Sequence, residues 1–205
     1  MSTATAIPED LFDMVFDGSN VTEEKLEQKG SATVNKDGKY HMLFKGIEKE
    51  KAEGKIPAVR IDMEVQAGDH EDQVSRTHFH RIYLAKKGNG GSFEPLSDGS
   101  KQNILKFFVN LGLLTKEDVA GNSSIRLPWE KLENFQAIVE IKNEPYDETD
   151  KTTGAATGKK INSFKIPYGC NVWQVGDDRV ANVPKDPEAL SIFTGGAGLS
   201  DVSDI

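Results

Sequence analysis

The sequence predicts a mainly β domain with one helical insert. Three observations carry that prediction. Val59, Ile61, Met63 and Val65 alternate with Arg60, Asp62, Glu64 and Gln66, a period of two that gives a strand one buried and one wet face. Ile104, Leu105, Phe108 and Leu111 recur at helical spacing. Beyond the helical stretch, strand signals resume at Phe135, Ala137, Val139 and Ile141, and again over 161–168 and 171–175.

Taken in order, residues 1–30 form an acidic lead-in with one short helix, for which Thr22 is an N-cap candidate; Lys25 stands where a capping box would place Glu. Lys36-Asp37-Gly38 lies between Val34 and the strand-like Tyr40–Phe44 and reads as a hairpin turn. The alternating strand 58–66 runs through a polar turn at 68–72 into a second strand, Val74 to Leu84, which pairs with it antiparallel. Residues 86–99 form a glycine-rich loop. Asp98 or Ser100 caps the helix, and Gly112 ends it. Thr115-Lys116-Glu117-Asp118 opens a second, shorter helix that stops at Gly121. Residues 148–160, rich in Thr, Gly and Ala, read as a long hairpin tip. Antiparallel strands on either side of a single helical insert follow the element order of an OB-fold-like β-barrel, with an open α+β sheet as the alternative. The domain organisation is thus 1–30 acidic N-terminal extension, 31–176 barrel, and 177–205 irregular acidic C-terminal tail.

The net charge of −8 argues against a polyanionic partner until its distribution is considered. Residues 1–30 carry seven acids against two lysines, and 176–205 carry six acids against two basic residues. Residues 73–116 carry seven basic residues against two acids. A phosphate backbone responds to the local field, so the basic centre keeps nucleic acid in play.

No run of 18 apolar residues is present to cross a membrane, and the first residues lack the basic and apolar regions of a secretion signal. The single cysteine, Cys170, excludes a disulfide framework and points to a reducing cytoplasm. Walker, G-x-S-x-G, H-E-x-x-H and Rossmann patterns are absent. That favours a binding module over an enzyme and calls for no cofactor. His78 and His80 share a strand face, but no spacing selects a third ligand from His41, His70 or Asp62, so no metal site is assigned. The acids at 69–72 and 147–150 are the only hint of a magnesium-dependent nuclease.

One constellation carries binding chemistry. Phe79, Arg81 and Tyr83 project from one face of their strand. Aromatic faces stack bases, and an interleaved arginine meets phosphate or lies over a ring, which holds a single strand without reading its sequence. The other choice for Phe79 and Tyr83 is the core. Arg60 on the neighbouring strand extends this surface, and Lys86 and Lys87 begin a basic loop beside it. Arg76, Lys106 and Trp129 complete the candidate set.

The stretch from Gly38 to about Val175 resembles a family of small phage and prophage proteins that sit with replication and recombination genes. The likeness rests on three features. One is the strand Val59–Val65 leading to Arg81-Ile82-Tyr83-Leu84. Another is the helix Ile104-Leu105-Lys106-Phe107-Phe108-Val109-Asn110-Leu111-Gly112, followed by Lys116-Glu117-Asp118. The third is Leu127-Pro128-Trp129 with the return Phe135–Ile141, a long loop and Lys165-Ile166-Pro167. The resemblance implies an OB-fold single-stranded DNA-binding protein of the host cytoplasm, acting in replication and recombination. Nothing in the sequence excludes a homo-oligomer. A glycine-rich spacer followed by Asp201, Asp204 and the terminal Ile205 has the layout of a partner-docking tail, although it ends in Ile where bacterial single-strand-binding tails end in Pro-Phe. The alternative is a structural or adaptor module of a phage, with the acidic ends as interaction arms.

Overall fold

The fold is that of a computed structural model, which describes residues 33–50, 55–88, 92–121, 124–150 and 152–192. The acidic extension at 1–30 and the tail residues Asp201, Asp204 and Ile205 lie outside the described residues. Three long strands form a meander: β1 (Gly38–Glu50), β2 (Ala58–Gly68) and β3 (Thr77–Tyr83). The short pair β4 (Lys86–Lys87) and β5 (Phe93–Glu94) leads to helix α1 (Asp98–Asn110) and helix α2 (Lys116–Val119). Strand β6 (Gln136–Asn143) returns beside β1. The hairpin β7 (Tyr146–Thr149) and β8 (Ala156–Ile161) follows, then β9 (Phe164–Lys165), β10 (Val172–Gln174) and helix α3 (Pro187–Ile192).

The main sheet runs β10-β6-β1-β2-β3, all antiparallel, with β9 also on β6. These five strands curl into a nearly closed, OB-like barrel. Its ends, β3 and β10, do not pair, and the turn 167–169 and α1 stand at this seam. Val59, Ile61, Met63 and Val65 of β2 point inward and are buried, as their alternation requires. They meet Tyr40, Met42 and Phe44 of β1, and Ala137, Val139 and Ile141 of β6.

Helix α1 seats one apolar stripe on this core: Ile104, Phe107, Phe108 and Leu111, spaced i, i+3, i+4, i+7. Phe107 takes the buried position that the sequence reading gave to Leu105. Its N-cap is Ser97, not Asp98 or Ser100; the Ser97 hydroxyl accepts the Ser100 N–H at 3.3 Å from an extended backbone. Gly112 ends the helix in a left-handed conformation (φ 67°), with Leu113 N–H reaching Phe108 O and Gly112 N–H reaching Val109 O. A Cβ there would collide with the Gln174 side-chain amide. Thr115 and Asp118 exchange the two hydrogen bonds of a capping box at the start of α2.

Several sequence expectations are corrected. Lys36-Asp37-Gly38 is not a hairpin turn. Thr33 instead forms a parallel bridge to Thr77, and Asp37 bonds to Asn143 N–H and His70. The strand expected from Val74 starts at Thr77, because Ser75 adopts φ 65° after a 3-10 turn at Glu71–Gln73. The hairpin expected only as a tip at 148–160 has paired strands, closed by an Asp150 side chain that accepts the N–H groups of Thr152 and Thr153. Residues 177–192 pack on the barrel. Val180 and Val183 cover Ile138 on the outer side of β6. Asp186 N–H donates to His41 Nδ1 at 3.1 Å, and Gln136 joins His41 Nε2 to the Ala189 carbonyl.

Candidate nucleic-acid interface

β3 sorts its side chains by parity. His78 and Ile82 are buried inside, while Phe79 and Tyr83 are 42% and 50% exposed outside. The register sets Arg60 of β2 directly opposite Arg81, Asp62 opposite Phe79 and Ala58 opposite Tyr83. Two arginines facing each other would repel. Three carboxylates relieve this. Arg60 donates to Asp62 at 2.7 and 3.2 Å and lies 3.8 Å from Glu48. Arg81 donates a fork of bonds to Glu50 at 2.8 and 3.0 Å. The hydrogen bonds from Arg81 hold the Glu50 carboxyl below its usual range and raise the guanidinium in turn. The Arg60 guanidinium also lies 4.5 Å from the Phe79 ring centre, a cation–π contact that holds both side chains on the surface.

The surface therefore presents two aromatic rings and two arginines, with each arginine held by acids that an incoming phosphate could displace. Exposed ion pairs of this kind contribute little to stability. Beyond β3, Lys86 pairs with Glu94 at 2.9 Å. Lys87 faces Phe93 across β4–β5, and Phe93 is 45% exposed. Among the described residues neither Lys87 nor Lys106 makes an ion pair.

The structure thus gathers Arg60, Phe79, Arg81 and Tyr83 on one face and places Lys86 and Lys87 next along the chain. It sets the other candidates apart. Arg76 lies at the far end of β3, where it donates to the carbonyls of Asp72 and Thr33. Trp129 is half-buried, edge-on to Phe108 at 4.9 Å. Lys106 projects from α1 into a groove shared with Tyr168, Trp173 and Arg179. Sequence reasoning did not single out Phe93 or the carboxylates at 48 and 50. Tyr168 stood outside the candidate set, yet this ring is 80% exposed. Gly169 was the available signal, since a glycine supplies the left-handed conformation a tight turn needs, here φ 68°.

His78 and His80 face the interior. Both Nε2 atoms are buried and have no hydrogen-bond partner among the described residues. Burial lowers the His78 ring to about 4 and the His80 ring to about 3, so both are neutral. Among the described residues no three His, Cys, Asp or Glu side chains come together as a metal site. The acids at 69–72 and 147–150 serve turns: Asp69 accepts Lys39 N–H, Asp72 pairs with Lys36, and Asp150 closes its hairpin. Cys170 is buried, and burial pushes its thiol up. No helix among the described residues is long and apolar enough to cross a membrane. The chain matches no protein-family model and no curated protein.

Proposed function

We propose that the barrel binds single-stranded DNA without reading its sequence, through the outer face of β2 and β3. The observation that supports this most is the exposed pair Phe79 and Tyr83, with Arg81 between them and Arg60 seated on Phe79. Bases would stack on the rings while phosphates exchange with Glu50, Asp62 and Glu48 for the guanidinium groups. Outer faces of these strands are where OB-folds take oligonucleotides. In the phage-type replication and recombination that the resemblance implies, such a protein coats transient single strands. It carries out no reaction of its own.

The acidic tail at 199–205 would compete with DNA for this face and be freed for partner proteins once DNA binds. Removing residues 199–205 then tightens DNA binding at low salt, and unchanged affinity takes the tail out of the mechanism.

Anisotropy of labelled single-stranded and duplex oligonucleotides, titrated from low to moderate salt, tests the proposal. Preference for the single strand, with affinity falling steeply as salt rises, is the expected result. A second reading, an adaptor module that binds protein, is favoured by the carboxylates already neutralising both arginines. It predicts no DNA binding even at low salt.

A further inference from the structure

The barrel does not close between β3 and the turn 167–169, and the opening is a groove of about 190 Å³. Its walls include Tyr83, Ile82, Ile104, Asn103 and Tyr168, and Arg81 lies on its rim. It is therefore continuous with the face carrying Arg81 and Tyr83.

Tyr168 is the unusual element of this groove. Its backbone is left-handed (φ 54°, ψ 7°), a conformation that costs a bulky residue and is seldom kept without cause. Packing does not supply the cause, because the side chain is 80% exposed. The strain instead holds a large flat ring out from the surface at the mouth of the seam. Asn103 also lines the opening, and its side-chain amide makes no hydrogen bond among the described residues. An amide offers both a donor and an acceptor, as the edge of a base requires. On the other side of Tyr168, Lys106 lines the second groove without an ion pair among the described residues, so cationic groups flank the seam on both sides.

We propose that this seam is a subsite for one base of single-stranded DNA, held between Tyr83 and Tyr168 with its edge on Asn103. The flanking phosphates fall to Arg81 on one side and Lys106 on the other. Aromatic walls, one unengaged amide and cations at both ends suit a base carried on a polyanionic strand better than an apolar ligand. The strand would then leave the β2–β3 face over the seam toward α1. This inference rests on the DNA-binding reading above.

Tyr168→Gly tests it. The substitution removes the ring and also relieves the backbone, so a structural role and a binding role predict opposite signs. The expected result is a melting temperature no lower than that of the wild type, together with a fivefold to tenfold loss of affinity for a labelled single-stranded oligonucleotide. An oligonucleotide carrying 2-aminopurine should lose part of its stacking quench with the variant. Asn103→Ala should weaken binding of the same oligonucleotide by less than the loss of the Tyr168 ring does. Wild-type affinity and quenching in Tyr168→Gly, with binding still lost in Phe79→Ala, overturns the seam subsite and leaves the DNA reading standing. Absence of binding by the wild type overturns both.

Discussion

The two faces of β3 carry opposite chemistry, though they belong to the same seven residues. The inner face holds two histidines and an isoleucine, and burial keeps both imidazoles neutral. The outer face holds two exposed aromatics around an ion-paired arginine. Residue type alone would sort them the other way, with rings inside and titratable groups outside. The chain obeys the pleat instead. Register against β2 fixes which parity faces the barrel, and the side chains follow. Aromatics that parity forces outward, with no element covering them, are the ones available to a ligand.

The sharpest break of this comparison is a large-to-small change on either side. Ile82 is 5% exposed, and Ile82→Ala should cost about 3 kcal/mol of stability because it opens a cavity. Its neighbour Tyr83 projects into solvent, and Tyr83→Ala should cost about 0.5 kcal/mol or less. Urea denaturation of both variants checks the pair. Equal losses would mean that the two faces are not distinct.

Acid should act on the inner face first. The buried rings take up protons at lower pH in the folded chain than the ordinary 6.5 of an unfolded one. Below about pH 6.5 the unfolded state therefore binds protons that the folded state does not. Stability is complete above that pH and falls until the folded values, about 4 and about 3, are reached. At pH 5 the His78 share is about 2 kcal/mol. His80 adds in the same direction, as does His41, whose ring is also held low by burial. Protonating His41 would also remove the acceptor for Asp186 N–H and loosen the segment ahead of α3. Thermal melts across this range should show the decline, and His78→Leu should flatten it.

Of these two faces, DNA binding should respond to the outer one. Phe79→Ala and Tyr83→Ala should each weaken single-strand binding about tenfold, the effect of about 1.4 kcal/mol of lost stacking. Salt dependence should barely move, since neither ring carries charge. A loss of folding in place of a loss of affinity would return these rings to the core.

How far the sequence revealed this arrangement follows from the range of each interaction. The period of β2, the Gly112 stop and the start of the short helix at 115–118 are set by near neighbours, and all were legible. Covered outer surfaces were harder. Ile138 breaks the alternation of β6 by placing an apolar side chain on the outer parity, which signals a cover; Val180 and Val183 provide it from 40 or more residues away. The partners of Arg60 and Arg81 depend on the register of β1, which shifts at a bulge between Phe44 and Gly46. No local pattern announces that shift, so Glu48 and Glu50 could not be assigned to the arginines. Tyr168 belongs to the candidate site only because α1 and β3 converge on the same seam.

Glu50 sharpens the comparison by its smallest lever. It reaches from the end of β1 to hold Arg81, and the hydrogen bonds from that arginine hold its carboxyl below the usual range. Glu50→Gln keeps the shape and removes the negative charge. If the outer face is a phosphate site, the freed guanidinium should tighten single-strand binding about threefold at low salt and steepen its salt dependence by about one ion. Thermal stability should stay close to the wild type, because exposed pairs contribute little. Weaker binding would show that Glu50 pre-orients Arg81 rather than competing with DNA for it. Unchanged binding would place the phosphates elsewhere, with Lys87 and Lys106, which flank the aromatic face and the seam and pair with no carboxylate among the described residues, as the next positions to neutralise.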